Sequence, residues 1–176
     1  MDTVKMNEYT IDDIYALPDD VRAELIDGQI YYMASPTRTH QRLVKNLAYQ
    51  IEEYIRKSDG NCELNIAPFA VFLNEEKNTN YLEPDLFVVR DPSKLGEDGC
   101  HGAPDWVIEI VSPTSRPRDY MKKMLKYGTA GVREYWIVDP EKNVTTVYGF
   151  EQETMEEYPF GEDVPVGIYD GFSIRV

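Results

Sequence analysis

Apolar residues recur along this chain at two different spacings, and the switches between them predict its elements. Residues 23–26 (Ala-Glu-Leu-Ile) and 29–33 (Gln-Ile-Tyr-Tyr-Met) are separated by Asp27-Gly28, a dipeptide suited to the type I′ turn of a hairpin. After Ser35-Pro36-Thr37 the period lengthens. Leu43, Val44, Leu47, Ile51, Tyr54 and Ile55 recur at steps of three and four, which predicts one long amphipathic helix with Gly60 as its terminator. Arg42, Lys45, Gln50 and Glu53 lie off that stripe. Residues 62–73 read as a strand with Pro68 at a bulge or an edge, and 74–80 as a polar loop. Two β-rich runs follow at 81–90 and 103–112, then a helix over about 118–130 ended by Gly131. A strand over 133–139 should pair with 144–150 across Glu141-Lys142-Asn143. Thr10 followed by Asp13 predicts a minor helix reaching Leu17, stopped by Pro18, and the tail beyond 150 should close with short strands.

This order predicts an α+β, or mixed α/β, architecture: a central mixed sheet flanked by two main helices, extended by the N-terminal hairpin and the C-terminal strands. A length of 176 residues fits a single domain over 1–176. Strict βα alternation and glycine-rich phosphate loops are absent from the sequence, which excludes the common nucleotide-binding folds.

With 42% hydrophobic and 28% charged residues, the composition is that of a folded globular chain. No run approaches the roughly 18 apolar residues of a membrane span, and residues 1–7 lack the pattern of a signal peptide, so a cytoplasmic location is expected. Cys62 and Cys100 are expected to be reduced structural thiols, and Cys100-His101 is a weak candidate ligand pair. The net charge of −14 weighs against broad contact with nucleic-acid phosphates. The cations are uneven, however: Arg116, Arg118, Lys122, Lys123 and Lys126 cluster, which allows a local basic patch on an acidic body.

Glu109 is the most informative single residue. Trp106, Val107, Ile108, Ile110 and Val111 surround it with the near-continuous apolar run of a strand covered on both faces. A carboxylate in such a strand needs a cation, a metal or a hydrogen-bond network, because an unpaired buried ion costs several kcal/mol. The simpler alternative puts Glu109 at the strand end, paired with an arginine. Asp85 follows Pro84 in the preceding strand, so adjacent strands each offer one acid, enough for a hard divalent cation completed by water and phosphate. Asp105 repeats the Pro-Asp dipeptide and reads as a turn residue. Lys122, Lys123 and Lys126 in the next helix offer an ammonium to orient a water or steady a transition state, or else form a solvated face with Asp119 and Lys123 as an exposed pair. Ser112, Thr114 and Ser115 suit helix capping.

Several of these strings recur together in one known family. Glu83-Pro84-Asp85-Leu86, then Val107-Ile108-Glu109-Ile110-Val111-Ser112-Pro113-Thr114-Ser115, Asp119, Lys123, Tyr127, Ala130-Gly131-Val132 and Glu134-Tyr135-Trp136-Ile137-Val138-Asp139-Pro140 resemble the putative restriction endonuclease family of the PD-(D/E)XK nuclease superfamily. The likeness extends upstream to Glu24-Leu25-Ile26-Asp27-Gly28 and to His40. It implies a restriction-endonuclease-like fold and metal-dependent hydrolysis of phosphodiester bonds in DNA. Mg²⁺ or Mn²⁺ would be held by Asp85, Glu109 and the backbone carbonyl near Ile110, with Lys123 as catalytic lysine and Glu24 and His40 completing the site. One departure stands out: the superfamily's lysine usually follows the second acid by two residues, and that position here is Val111. The lysine has moved to the helix, where Lys122, Lys123 and Lys126 are all candidates. Without the resemblance, Glu24 and His40 read as surface polar residues. A homodimer is expected on the ground that two copies most simply cut two strands. The competing classes are a non-catalytic binding module on the same scaffold and a metal-dependent hydrolase of a smaller phosphorylated substrate.

Overall fold

The computed structural model describes residues 8–73 and 75–176; the expectation for residues 1–7 and for Asn74 lies outside the described residues. A short helix α1 (Ile11–Tyr15) leads into the hairpin β1 (Ala23–Ile26) and β2 (Gln29–Tyr32) and the 20-residue helix α2 (Arg38–Lys57). Then come β3 (Glu63–Ile66), β4 (Ala70–Phe72), β5 (Leu86–Val89), β6 (Gly99–His101) and β7 (Trp106–Ile110). A π-helical turn (Arg118–Lys123) runs directly into α3 (Met124–Ala130), followed by β8 (Glu134–Asp139), β9 (Val144–Gly149), β10 (Thr154–Pro159), β11 (Asp163–Pro165) and β12 (Ser173–Arg175).

Six strands form the central sheet in the order β10-β9-β8-β7-β5-β3. Only β7 and β8 are parallel, and the chain crosses between them through the π-turn and α3. Every residue of β5, β7 and β8 is buried, as expected of strands covered on both faces. On one face Leu47 and Ile51 of α2 pack against Leu86, Val88, Trp106, Ile108 and Trp136, and β11 and β12 add Val164 and Ile174. On the other face Phe87, Val107, Tyr135 and Ile137 meet Tyr127 of α3 together with Val71 and Leu82. The two main helices therefore flank the sheet as expected.

The structure refines several expectations. The run 62–73 is two strands: β3 is an edge of the central sheet, and after Pro68, which has no N–H to donate, β4 leaves to pair in parallel with β6. The hairpin pairs in the register expected of its Asp27-Gly28 turn, Ala23 opposite Tyr32, but as its own two-stranded ladder. It joins the rest through Leu25, whose backbone exchanges hydrogen bonds with Tyr81. α2 ends at Lys57, before Gly60, with Ser58 as its last capping residue. α3 ends as expected at Gly131, which adopts φ +98°.

Candidate functional site

The strand register brings the two acids together. Leu86 pairs with Ile108 and Phe87 with Val107, so one further step sets Asp85 opposite Glu109, on the same face of the sheet. Asp85 is fixed from two sides: its Oδ2 accepts from the Ile110 N–H at 2.8 Å, and its Oδ1 lies 2.9 Å from Nε2 of His40, in the first turn of α2. Ile110 thus enters the site through its N–H.

The opposite wall comes from the π-turn. Asp119, Lys123 and Tyr127 stand four residues apart and share one helical stripe facing the sheet. Lys123 is 2% exposed, and its Nζ donates to Glu109 Oε1 at 2.6 Å and to Glu24 Oε1 at 2.8 Å, with Asp119 Oδ1 at 3.5 Å. The Tyr127 hydroxyl donates to the same Glu109 oxygen at 3.2 Å. Glu24 comes from β1, all four residues of which are buried, and its Oε1 also accepts from the Glu83 N–H. Its Oε2 has no hydrogen-bond partner, and Arg118 lies 3.7 Å from it.

Three carboxylates around one ammonium leave the acids unequal. Burial raises Glu24, but Lys123 and Arg118 outweigh it and hold its carboxyl below the usual value. Burial also raises Glu109; Lys123 opposes this, but Asp119, Glu24 and Asp85 add to it, and the acid ends well above its usual value. Burial disfavours the Lys123 ammonium, yet Glu109, Glu24 and Asp119 overcome the penalty, and Lys123 stays charged.

A cleft of about 520 Å³ opens onto this cluster, with Glu24 and Tyr127 behind its lining. Asp85, Glu109, Asp119 and Lys123 line its floor, and Thr37 and His40 of α2, Ser112 and Arg118 form its walls. Arg118 lies over the Tyr31 ring at 5.3 Å, and its Nε has no hydrogen-bond partner.

All the anticipated site residues, Glu24, His40, Asp85, Glu109, Ile110 and Lys123, converge here. Of the three candidate lysines only Lys123 reaches the acids; Lys122 bonds Gln29 and Tyr31, and Lys126 pairs with Asp27, both on the hairpin. Asp119 and Lys123 are a buried pair, not an exposed one. The simpler reading of Glu109, an arginine partner, is replaced by Lys123. Arg118 and Tyr127 were missed as site residues; the four-residue spacing of Asp119, Lys123 and Tyr127 is the signal that finds Tyr127. The local basic patch that the cations over 116–126 allow does not form among the described residues. Arg116 is held by Asp139 and Glu141, and the other cations of the segment face the site or the hairpin. Cys100 is buried and His101 sits 2.9 Å from Asp98. Among the described residues no group of three or more His, Cys, Asp or Glu side chains forms a metal cage.

Comparison with known proteins bears on this site. A family model named Uma2, described as "Putative restriction endonuclease", matches residues 11–176. No curated protein matches the chain. Among solved structures, one described as a putative nuclease belonging to DUF820 from Anabaena variabilis ATCC 29413 superposes with a TM-score of 0.73 at 24% identity, covering 90% of this chain and 89% of its own. That likeness establishes the fold.

Proposed function

We propose that this chain, which belongs to the Uma2 family of putative restriction endonucleases, is a single-domain, metal-dependent nuclease that hydrolyses phosphodiester bonds in DNA. The observation that carries the reading is the convergence, on the floor of one cleft, of two acids from neighbouring strands with a fully buried, charged lysine. No helix of the described residues is long and apolar enough to cross a membrane, and we place the activity in the cytoplasm.

The donor set suits a hard cation. Asp85 and Glu109 offer carboxylate oxygens at the cleft floor, and two carboxylates suit Mg²⁺ or Mn²⁺, which keep waters and substrate oxygens as their other ligands. Asp85, Glu109 and the Ile110 carbonyl would hold the ion, which when bound would acidify a water and polarise the phosphate. The chain's own groups do the rest. His40 and the Ile110 N–H orient Asp85, the role outer partners play toward a ligating carboxylate. Tyr127 and Lys123 fix the position of Glu109. Lys123 supplies a positive charge that would orient the attacking water and offset charge building on the phosphate, with Glu24 and Asp119 keeping it protonated. Two copies related by a two-fold axis would cut both strands of a duplex.

A second reading, a non-cleaving binding module, draws support from the full commitment of Lys123 to Glu109 and Glu24. One experiment separates them. Supercoiled plasmid and single-stranded DNA are incubated with the protein in Mg²⁺, Mn²⁺ or EDTA, beside an Asp85→Ala/Glu109→Ala variant. Metal-dependent cutting lost in the variant is expected. A folded wild-type protein that cuts nothing in any condition defeats the nuclease reading and leaves the module or a smaller phosphorylated substrate.

A further inference from the structure

Among the described residues, many lysines and arginines of this acidic chain pair with carboxylates. Arg22 pairs with Glu83, Arg116 with Asp139, Arg133 with Glu151, Arg175 with Asp163, and Arg56 and Lys57 with Glu52 and Glu53. Arg38, Arg42 and Lys45 are exposed and make no ion pair among the described residues. They stand at steps of four and three on α2, and four residues further Tyr49 continues the stripe, 67% exposed. The stripe runs for about 16 Å along the helix.

This stripe faces a groove of about 940 Å³, whose other side is apolar and includes Leu64 and the half-exposed Ile66 of the edge strand β3. The groove shares Gln41, Val44 and Ile66 with the cleft that holds Asp85 and Glu109, so the two adjoin. At their junction lies the start of α2, with Thr37 as cap and no acid of its own in the first turn; Asp85, held by His40, is an acid beside it. At the far end the run of free cations gives way to Glu52 and Glu53, each already paired.

We propose that this groove is a track for single-stranded nucleic acid, with Arg38, Arg42 and Lys45 on successive phosphates and Tyr49 stacked on a base. Charge selects a polyanion: on a chain of net charge −14, a row of unneutralised cations leads toward the cleft. Neighbouring cations on such a stripe are about 5–6 Å apart at Cβ, comparable to the phosphate spacing of an extended strand. The exposed ring and apolar wall select a single strand, because the bases of a duplex turn their faces to one another and leave none for Tyr49. The direction of the track, toward Asp85 and Glu109, rests on the nuclease reading; the binding itself does not.

The test is fluorescence anisotropy with a labelled 20-nucleotide oligothymidylate and a duplex of equal length, in EDTA so that nothing is cut, across a salt series. An Arg38→Ala/Arg42→Ala/Lys45→Ala variant and a Tyr49→Ala variant alter only exposed positions of a helix, and circular dichroism checks that each is folded. In the triple variant, the slope of log K against log salt should become shallower by about 2, from roughly 0.7 per phosphate on a single strand. Tyr49→Ala should weaken single-strand binding about 5-fold or more at fixed salt. Undiminished binding in both variants, or no binding by the wild type, overturns the track. Duplex bound as tightly as the single strand, with the same losses, overturns the single-strand assignment. A shift of the variants from dimer to monomer in sedimentation, with oligonucleotide binding unchanged, makes the groove an interface between copies and also overturns it. Cutting retained with binding unaltered would fell the track alone, and track-dependent binding without any cutting would fell the nuclease alone.

Discussion

Replacing Lys123 with Met keeps the aliphatic stem and removes the ammonium on which three buried acids converge. Glu24 is fully buried, and Glu109 and Asp119 are 5% and 2% exposed, so none of the three gains water in exchange. Removing one partner from a buried ion pair costs about 3–5 kcal/mol, because the remaining charge stays desolvated. Arg118 sits 3.7 Å from both Glu24 and Asp119 and takes up part of the load, which points to the lower end, about 3 kcal/mol. For a chain of this size that corresponds to a Tm lower by roughly 6–12 °C. The loss must depend on pH. Without the ammonium the folded-state pKa of Glu24, now held down, rises, and that of Glu109, already raised by burial, climbs further above its unfolded value. Their unfavourable contribution is then absent below the ordinary carboxylate range and grows as pH rises through the raised folded values. Urea unfolding of both proteins between pH 5 and pH 8 should therefore give a gap that widens toward pH 8. A gap under about 1 kcal/mol at pH 8, or one that does not change with pH, would refute the claim that Lys123 neutralises a buried acid cluster.

Two further perturbations probe the frame around the site. Gly131 ends α3 at φ +98°, and a methyl group added there meets no atom within 4 Å, so Gly131→Ala should cost only the left-handed backbone penalty of about 1–2 kcal/mol, read by thermal unfolding. Burial pushes the Asp139 carboxyl up, but the bonds from Arg116 and from the backbone N–H of Lys142 outweigh it and hold the acid below its ordinary value. The stabilisation is therefore complete above the unfolded pKa of about 3.9 and is lost as pH falls through the lower folded value. The stability gap between wild type and Asp139→Asn should shrink in urea melts only below about pH 4.

The sequence was most readable where a local rule decides the outcome. Asp27-Gly28 sets the hairpin turn, the three-and-four spacing sets α2, and the apolar run around Glu109 identifies a strand buried on both faces. It was least readable where burial comes from distant partners. Glu24 sits in a strand whose four residues are all buried, one face on the core and the other on the π-turn's lysine, so no alternation of apolar and polar residues marks it. Pro68 announced an edge but not that the chain would leave one sheet for another. The basic cluster over 116–126 looked like an anion site in one dimension. In three dimensions its partners include acids 23 residues downstream, at Asp139, and about 100 upstream, at Glu24 and Asp27, separations that charge counting along the chain cannot see.

The π-helical turn at Arg118–Lys123 bears on how this site tolerates changes in chain length. A π-turn carries one more residue than the α-helical turn it replaces. Deleting one residue from the segment could relax it to ordinary α-helix with little loss of helical hydrogen bonding. With one of residues 120–122 gone, the shorter turn closes the same circle, so the residues before it keep roughly their direction relative to α3. Asp119 would stand three residues before Lys123 instead of four, still on the face it shares with Lys123 and Tyr127. The wall of the cleft would survive with the fold. Within this family, a relative shortened by one residue in this segment should therefore keep the acid-lysine cluster, with a plain α-helical turn in place of the π-turn.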